Sequence, residues 1–157
     1  DHGFYPFYQG DKSFAYVANY GHGMATHEHV RAYRAWAAHC FWGRPITRLT
    51  AMGTVEQGEL KVSAIVQSQS EITELRLLYC FKKGVRFNDD KDRYKSLPMK
   101  RDGDGGYWKA ALPSDREVYW YVEARDRAQG FESIATTLLK RTQRNRRPPP
   151  QTRRQDG

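Results

Sequence analysis

From Leu60 onward, apolar residues fall at every second position in five separate runs. Leu60, Val62, Ala64 and Val66 alternate with Lys61, Ser63 and Ile65. The pattern returns in Leu75, Leu77, Tyr79 and Phe81, in Trp108, Ala110 and Leu112, in Val118, Trp120, Val122 and Ala124, and in Ile134, Thr136 and Leu138. A period of two marks strands with one covered face. Between the runs lie the polar stretch from Gln67 to Ser70, Lys83-Gly84, Asn88-Asp89-Asp90, the Asp102 to Gly106 segment and Pro113-Ser114-Asp115, all of them turn chemistry. Short strands at regular spacing with no helical stretch among them predict an antiparallel β-sandwich of immunoglobulin or fibronectin type over residues 49–140.

The chain before Leu49 follows a different pattern. Ser13 to Ala18 is a short, nearly all-apolar run, as expected of a strand covered on both faces. Gly21-His22-Gly23 breaks it. Thr26 suits an N-cap, and Val30, Tyr33, Ala37, Cys40 and Phe41 recur at helical spacing until Gly43-Arg44-Pro45. Residues 1–48 therefore read as strand, loop, helix and linker. A lone strand–helix pair cannot bury both its faces, so it must pack on the sandwich or on a partner absent from this chain.

Composition adds little until its position is considered. The 157 residues are 39% apolar and 28% charged, enough for a real core and unlike a disordered or collagen-like chain. No apolar run approaches a membrane span and no secretory leader opens the sequence. The chain opens on Asp1, as expected of a processed or partial polypeptide. Of the net charge of +8, the stretch from Lys140 onward carries +6. With Pro148, Pro149 and Pro150 and almost no apolar residue, 141–157 is expected to be a disordered Arg/Pro-rich tail. Such an arm could touch phosphates, but a solubilising role is the plainer expectation, and the remaining +2 gives no reason to expect a nucleic-acid partner. Cys40 and Cys80 both sit among apolar residues, which predicts two buried, unbridged thiols.

The candidate chemistry is concentrated near the start of the chain. Asp1, the strand at 13–18, Asn19-Tyr20-Gly21-His22-Gly23-Met24 and the following helix resemble the last part of an α/β-hydrolase. In that fold the acid follows a late strand and the histidine lies in the loop after the final one. The local likeness is to acetyl-xylan-esterase and prolyl-oligopeptidase types, and to PhoPQ-activated pathogenicity-related proteins, which are similar in carrying a sandwich-like tail. The resemblance implies His22 as general base and Asp1 as the carboxylate that orients it. It covers about the first 45 residues, and the sandwich by architecture alone. It also implies export, and hydrolysis of an ester or amide bond in an ester or polymeric substrate, with the missing N-terminal hydrolase portion or a partner chain completing the site.

What the chain lacks limits that expectation. No serine has glycine at both flanking positions of a Gly-x-Ser-x-Gly elbow, so this polypeptide alone should be inactive. No cofactor is expected. His22, His27, His29 and His39 lack a metal-ligand spacing, and the Asp102 to Gly106 stretch has Gly106 and Pro113 where a calcium loop needs oxygen ligands. A hairpin turn is the better reading there. Alternation places Trp120 in the core and puts Tyr119, Tyr121, Glu123 and Arg125 on the opposite face, where an exposed tyrosine pair would form a docking surface. The alternative function is a non-catalytic sandwich that binds a protein or carbohydrate partner.

Overall fold

The computed structural model describes residues 27–81, 94–103, 106–114, 116–128 and 131–142. Its elements in chain order are α1 (His27–Trp42), β1 (Arg48–Glu56), β2 (Glu59–Gln67), β3 (Glu71–Cys80), β4 (Lys95–Pro98), β5 (Lys100–Asp102), β6 (Tyr107–Pro113), β7 (Tyr119–Ala128), β8 (Phe131–Thr136) and β9 (Lys140–Arg141). The strands form two antiparallel sheets, β1-β2-β6-β5 and β4-β3-β7-β8, with β9 also paired to β7. The chain is thus mostly β, in a sandwich-like pair of sheets with one helix. Among the described residues no helix is long and apolar enough to cross a membrane.

The alternating residues build the core. Ala51, Leu60, Val62, Ala64 and Leu112 from the first sheet face Leu75, Leu77, Trp120, Val122 and Ala124 from the second. Val118, Trp120 and Val122 share the covered face, as their parity predicts. Two features of the sheets are hidden from the period. β1 has Gly53 at its centre, where the alternation fails, and that glycine lies against the indole of Trp120. An added Cβ there would stand 2.5 Å from Trp120 Cζ2. β4 and β5 are short, lysine-rich and interrupted by Pro98, yet they form one continuous path between the sheets. Met99 sits at the crossing, buried, with its N–H donating to Leu75 O at 2.9 Å.

The β1–β2 hairpin turns on Gln57 and Gly58, both with positive φ, in the two-residue geometry whose twist matches that of the flanking strands. The Asp102 to Gly106 segment joins β5 to β6, which pair antiparallel from Lys100↔Lys109 to Asp102↔Tyr107. That is the hairpin the sequence predicts.

The polar end of the fold begins inside the stretch read as tail. Lys140 and Arg141 pair with Trp120 and Tyr119, and Thr142 exchanges two bonds with Val118: N–H to carbonyl at 2.9 Å and Val118 N–H to Thr142 Oγ1 at 2.9 Å. Lys140 Nζ donates to Ala51 O at 2.8 Å, tying β9 to the opposite sheet. Residues 143–157 lie outside the described residues.

Candidate functional site

His22 and Asp1, the two residues assigned to hydrolase chemistry, lie outside the described residues, as does the strand expected at 13–18. What the structure does place is the helix that follows them. α1 ends at Gly43, whose φ of 64° lets its N–H return to His39 O at 3.0 Å, an αL cap. His39 closes the same turn: its Nδ1 donates to Arg44 O at 2.7 Å, and its ring lies 5.3 Å from that of Trp36. His39 is therefore occupied in holding the exit from the helix.

The orientation of α1 differs from what one apolar stripe suggests. Ala32, Ala35 and Trp36 meet Ser133, Ile134 and Ala135 of β8. Arg31 adds an ion pair to Glu132 at 3.0 Å. These residues, with His39, follow the i, i+3, i+4, i+7 spacing of one face. The stripe of Val30, Tyr33, Ala37, Cys40 and Phe41 lies on the opposite side. Tyr33 is 61% exposed and Phe41 78%, and Trp42 in the last turn is 79% exposed. Cys40 is consequently exposed rather than buried, while Cys80 is buried, and neither is bridged. Among the described residues the helix packs on the sandwich through the Ala32, Ala35 and Trp36 face, and its larger apolar side chains Tyr33, Phe41 and Trp42 stay exposed.

The linker after the helix is locked to the sandwich by a buried polar chain. Thr47 Oγ1 donates to Asp126 Oδ2, and Ser133 Oγ donates to Asp126 Oδ1 at 2.6 Å. Since the Thr47 proton is used, the Ser68 hydroxyl donates to Thr47 Oγ1 at 2.7 Å, and Ser70 N–H donates to Ser68 Oγ at 3.0 Å. Thr47, Asp126 and Ser133 are all buried. This cluster contains serine and aspartate but no histidine, so it is not a Ser-His-Asp triad, and its Thr47, Asp126 and Ser133 side chains are buried against one another. Its chemistry is structural: it fixes α1 on the edge of the second sheet.

On the outer face of that sheet Tyr119, Tyr121, Glu123 and Arg125 do lie together, but the tyrosines are not exposed. Tyr121 is fully buried and Tyr119 nearly so, in a second apolar cluster with Leu78, Cys80 and Tyr94, against which Leu139 packs. The Tyr94 ring meets Tyr121 edge-on at 5.7 Å. Parity gives the face a side chain occupies but not whether another layer covers it. Glu123, also buried, accepts from Arg76 Nη2 at 2.8 Å and Arg125 Nε at 3.0 Å. Two guanidiniums on one carboxylate make a structural network that sequence parity did not reveal.

Among the described residues no three His, Cys, Asp or Glu side chains come together as a metal site. An open concavity lies on the outer face of the first sheet, lined by Met52, Thr54, Lys61, Ser63, Lys100 and Lys109 among others. No protein family, curated protein or solved structure matches this chain.

Proposed function

We propose that this chain is the C-terminal part of a serine-hydrolase-like protein, in which the sandwich scaffolds an α/β layer that carries the reaction. The observation that carries this reading is the uncovered face of α1. A helix that packs on β8 through Ala32, Ala35 and Trp36, yet presents Val30, Tyr33 and Phe41 on its opposite side, has the character of a helix held between two layers. The apolar run at 13–18, which the sequence predicts as a strand, precedes this helix, in the order such a layer would require.

In this reading His22 is the general base. It takes the proton of a serine hydroxyl supplied by the missing hydrolase portion or by a partner chain, and Asp1 holds the imidazole in the competent tautomer. The flanking Gly21 and Gly23 carry no side chains of their own beside the imidazole. The sandwich reads as immunoglobulin-like: the order β1-β2-β6-β5 against β4-β3-β7-β8 has the pairing of an A-B-E-D sheet against a C′-C-F-G sheet. That order supports the appended-sandwich architecture and leaves the chemistry to the layer on α1.

The test is substitution of His22 by Ala in the native protein that contains this sequence. Ester and amide hydrolysis should fall by three orders of magnitude or more, roughly the loss of a triad member, while folding is retained. Unchanged hydrolysis by a folded His22→Ala protein would remove His22 from the mechanism.

A further inference from the structure

The edges of the two sheets are not alike. β4 and β5 are short and carry Lys95, Pro98 and Lys100, and β8 packs against α1. Short strands, lysine, proline and a covering helix are devices that keep an edge from pairing with another chain. β1 has none of them. It runs from Arg48 to Glu56 with no proline and no charged residue between its two ends, and it pairs with β2 without a bulge.

Which backbone groups of β1 are open follows from its hairpin. A two-residue turn is closed by a hydrogen-bonded pair, here Glu56↔Glu59, so Arg48, Thr50, Met52 and Thr54 bond to β2 as well. The N–H and C=O groups of Leu49, Ala51, Gly53 and Val55 therefore point away from the sheet. Among the described residues one bond reaches them, from Lys140 Nζ to Ala51 O at 2.8 Å. A carbonyl oxygen has two lone pairs, so Lys140 leaves one of them open. The side chains of this edge are open too, with Met52 75% exposed and Val55 45%.

We propose that β1 pairs antiparallel with β1 of a second copy of this chain, joining two four-stranded sheets into one across a two-fold axis. Charge and parity choose the occupant and the register together. With Met52 opposite Met52 of the second copy, each Arg48 meets the other copy's Glu56, Leu49 meets Val55, Thr50 meets Thr54 and Ala51 meets Gly53. Leu49–Val55 and Ala51–Gly53 become the hydrogen-bonded pairs, which use the groups that point outward. Opposite charges and Thr–Thr pairs placed directly across two strands are favourable. The neighbouring registers of the same parity keep the ladder but lose the match of Arg48 with Glu56. Arg48 has no acidic partner among the described residues, and Lys61 takes only Oε2 of Glu56. The strand is thus its own complement. The proposal rests on β1 and does not depend on the hydrolase reading.

The experiment is sedimentation velocity of the full chain over a concentration series, with reductant present so that exposed Cys40 forms no bridge. A reversible monomer–dimer equilibrium is expected. Val55→Pro removes an outward N–H and leaves the ladder to β2 whole. Met52→Lys sets two ammonium groups at the closest point of the new pair, where Cα atoms stand about 4.5 Å apart. Each should weaken the dimer about tenfold or more, with the fold of each variant verified by circular dichroism. Arg48→Glu and Glu56→Arg should each weaken it several-fold, and the two together should restore it, because the charges are exchanged rather than lost. A chain that stays monomeric throughout overturns the proposal. So does a dimer untouched by Val55→Pro and Met52→Lys, or one that Tyr33→Ser and Phe41→Ser dissolve instead, which would place the contact on α1. A double exchange that restores nothing would overturn the pairing of Arg48 with Glu56.

Discussion

Gly53→Ala offers the sharpest test of how the two sheets meet. Gly53 occupies the middle of β1 opposite Val62, and the indole of Trp120 crosses from the other sheet to lie against it. A Cβ at position 53 would stand 2.5, 3.1 and 3.2 Å from Trp120 Cζ2, Cη2 and Cε2. Carbon atoms prefer about 3.5–4.0 Å, so the nearest approach must open by roughly 1 Å. The indole cannot yield easily. It is a rigid ring, 3% exposed, within the core that contains Ala51, Leu60 and Val122, with Lys140 Nζ 5.7 Å from its ring.

Overpacking of this kind costs about 1–3 kcal/mol, while alanine regains roughly 0.5–1 kcal/mol of backbone entropy relative to glycine in a strand. A clash of this depth against a rigid buried ring puts the cost in the upper half of that range, about 2–3 kcal/mol, so the net expectation is a loss of about 1–2 kcal/mol. Trp120→Phe removes the ring atoms that crowd position 53, and alone should cost about 1–3 kcal/mol through the cavity it leaves. In the double variant the new methyl enters that space, so the two losses should combine to at least about 1 kcal/mol less than their sum. Urea unfolding of the four proteins, followed by far-ultraviolet circular dichroism, measures this coupling. A Gly53→Ala protein within about 0.5 kcal/mol of the parent, or strict additivity in the cycle, would refute the packing described.

Other consequences can be checked on the same material. Asp126→Ala should destabilise by about 2–4 kcal/mol, because it leaves the buried hydroxyls of Thr47 and Ser133 without their acceptor, whereas Asp126→Asn should cost less; urea midpoints decide it. Gln57→Asn should raise stability by a few tenths to about 1 kcal/mol, since asparagine tolerates the positive φ of the β1–β2 turn better than glutamine, and an unchanged or lower midpoint would contradict that turn geometry. The Glu132 carboxyl is held below its ordinary value of 4.5, first by its hydrogen bond from Arg127 and then by the charge of Arg31. A depressed carboxyl stabilises the fold above its unfolded value and loses that contribution as pH falls through the folded one. Glu132→Gln should therefore flatten the acid limb of a stability–pH profile below about pH 4.5 and leave its neutral and alkaline parts parallel to the parent.

The strands that alternate cleanly, β2, β3, β6 and β7, were legible because one face of each meets the core and the parity survives in the sequence. β1 was not, because its central position is a glycine chosen for the ring opposite rather than for burial of its own. β4 and β5 were hidden by lysines and Pro98, which suit short edge strands but carry no period. The extent of α1 could be read, but its orientation could not. Two faces of one helix compete for the apolar signal, and the larger residues marked the face that the sandwich leaves uncovered. Tyr119 and Tyr121 were placed on the correct side of β7 and given the wrong environment, since parity does not report a covering layer. Lys61, Lys100 and Lys109 come near one another on the outer face of the first sheet only through strand pairing, which no sequence period reports.

We propose that a serine-hydrolase layer is seated on the exposed face of α1. Its most direct test is labelling of native source material with a fluorophosphonate probe, followed by mass spectrometry of every species that contains this sequence. The account predicts a labelled serine, either in a longer polypeptide that includes this chain or in a partner that purifies with it. A folded native species that contains this sequence and any such longer polypeptide or partner, yet takes up no label, would contradict it.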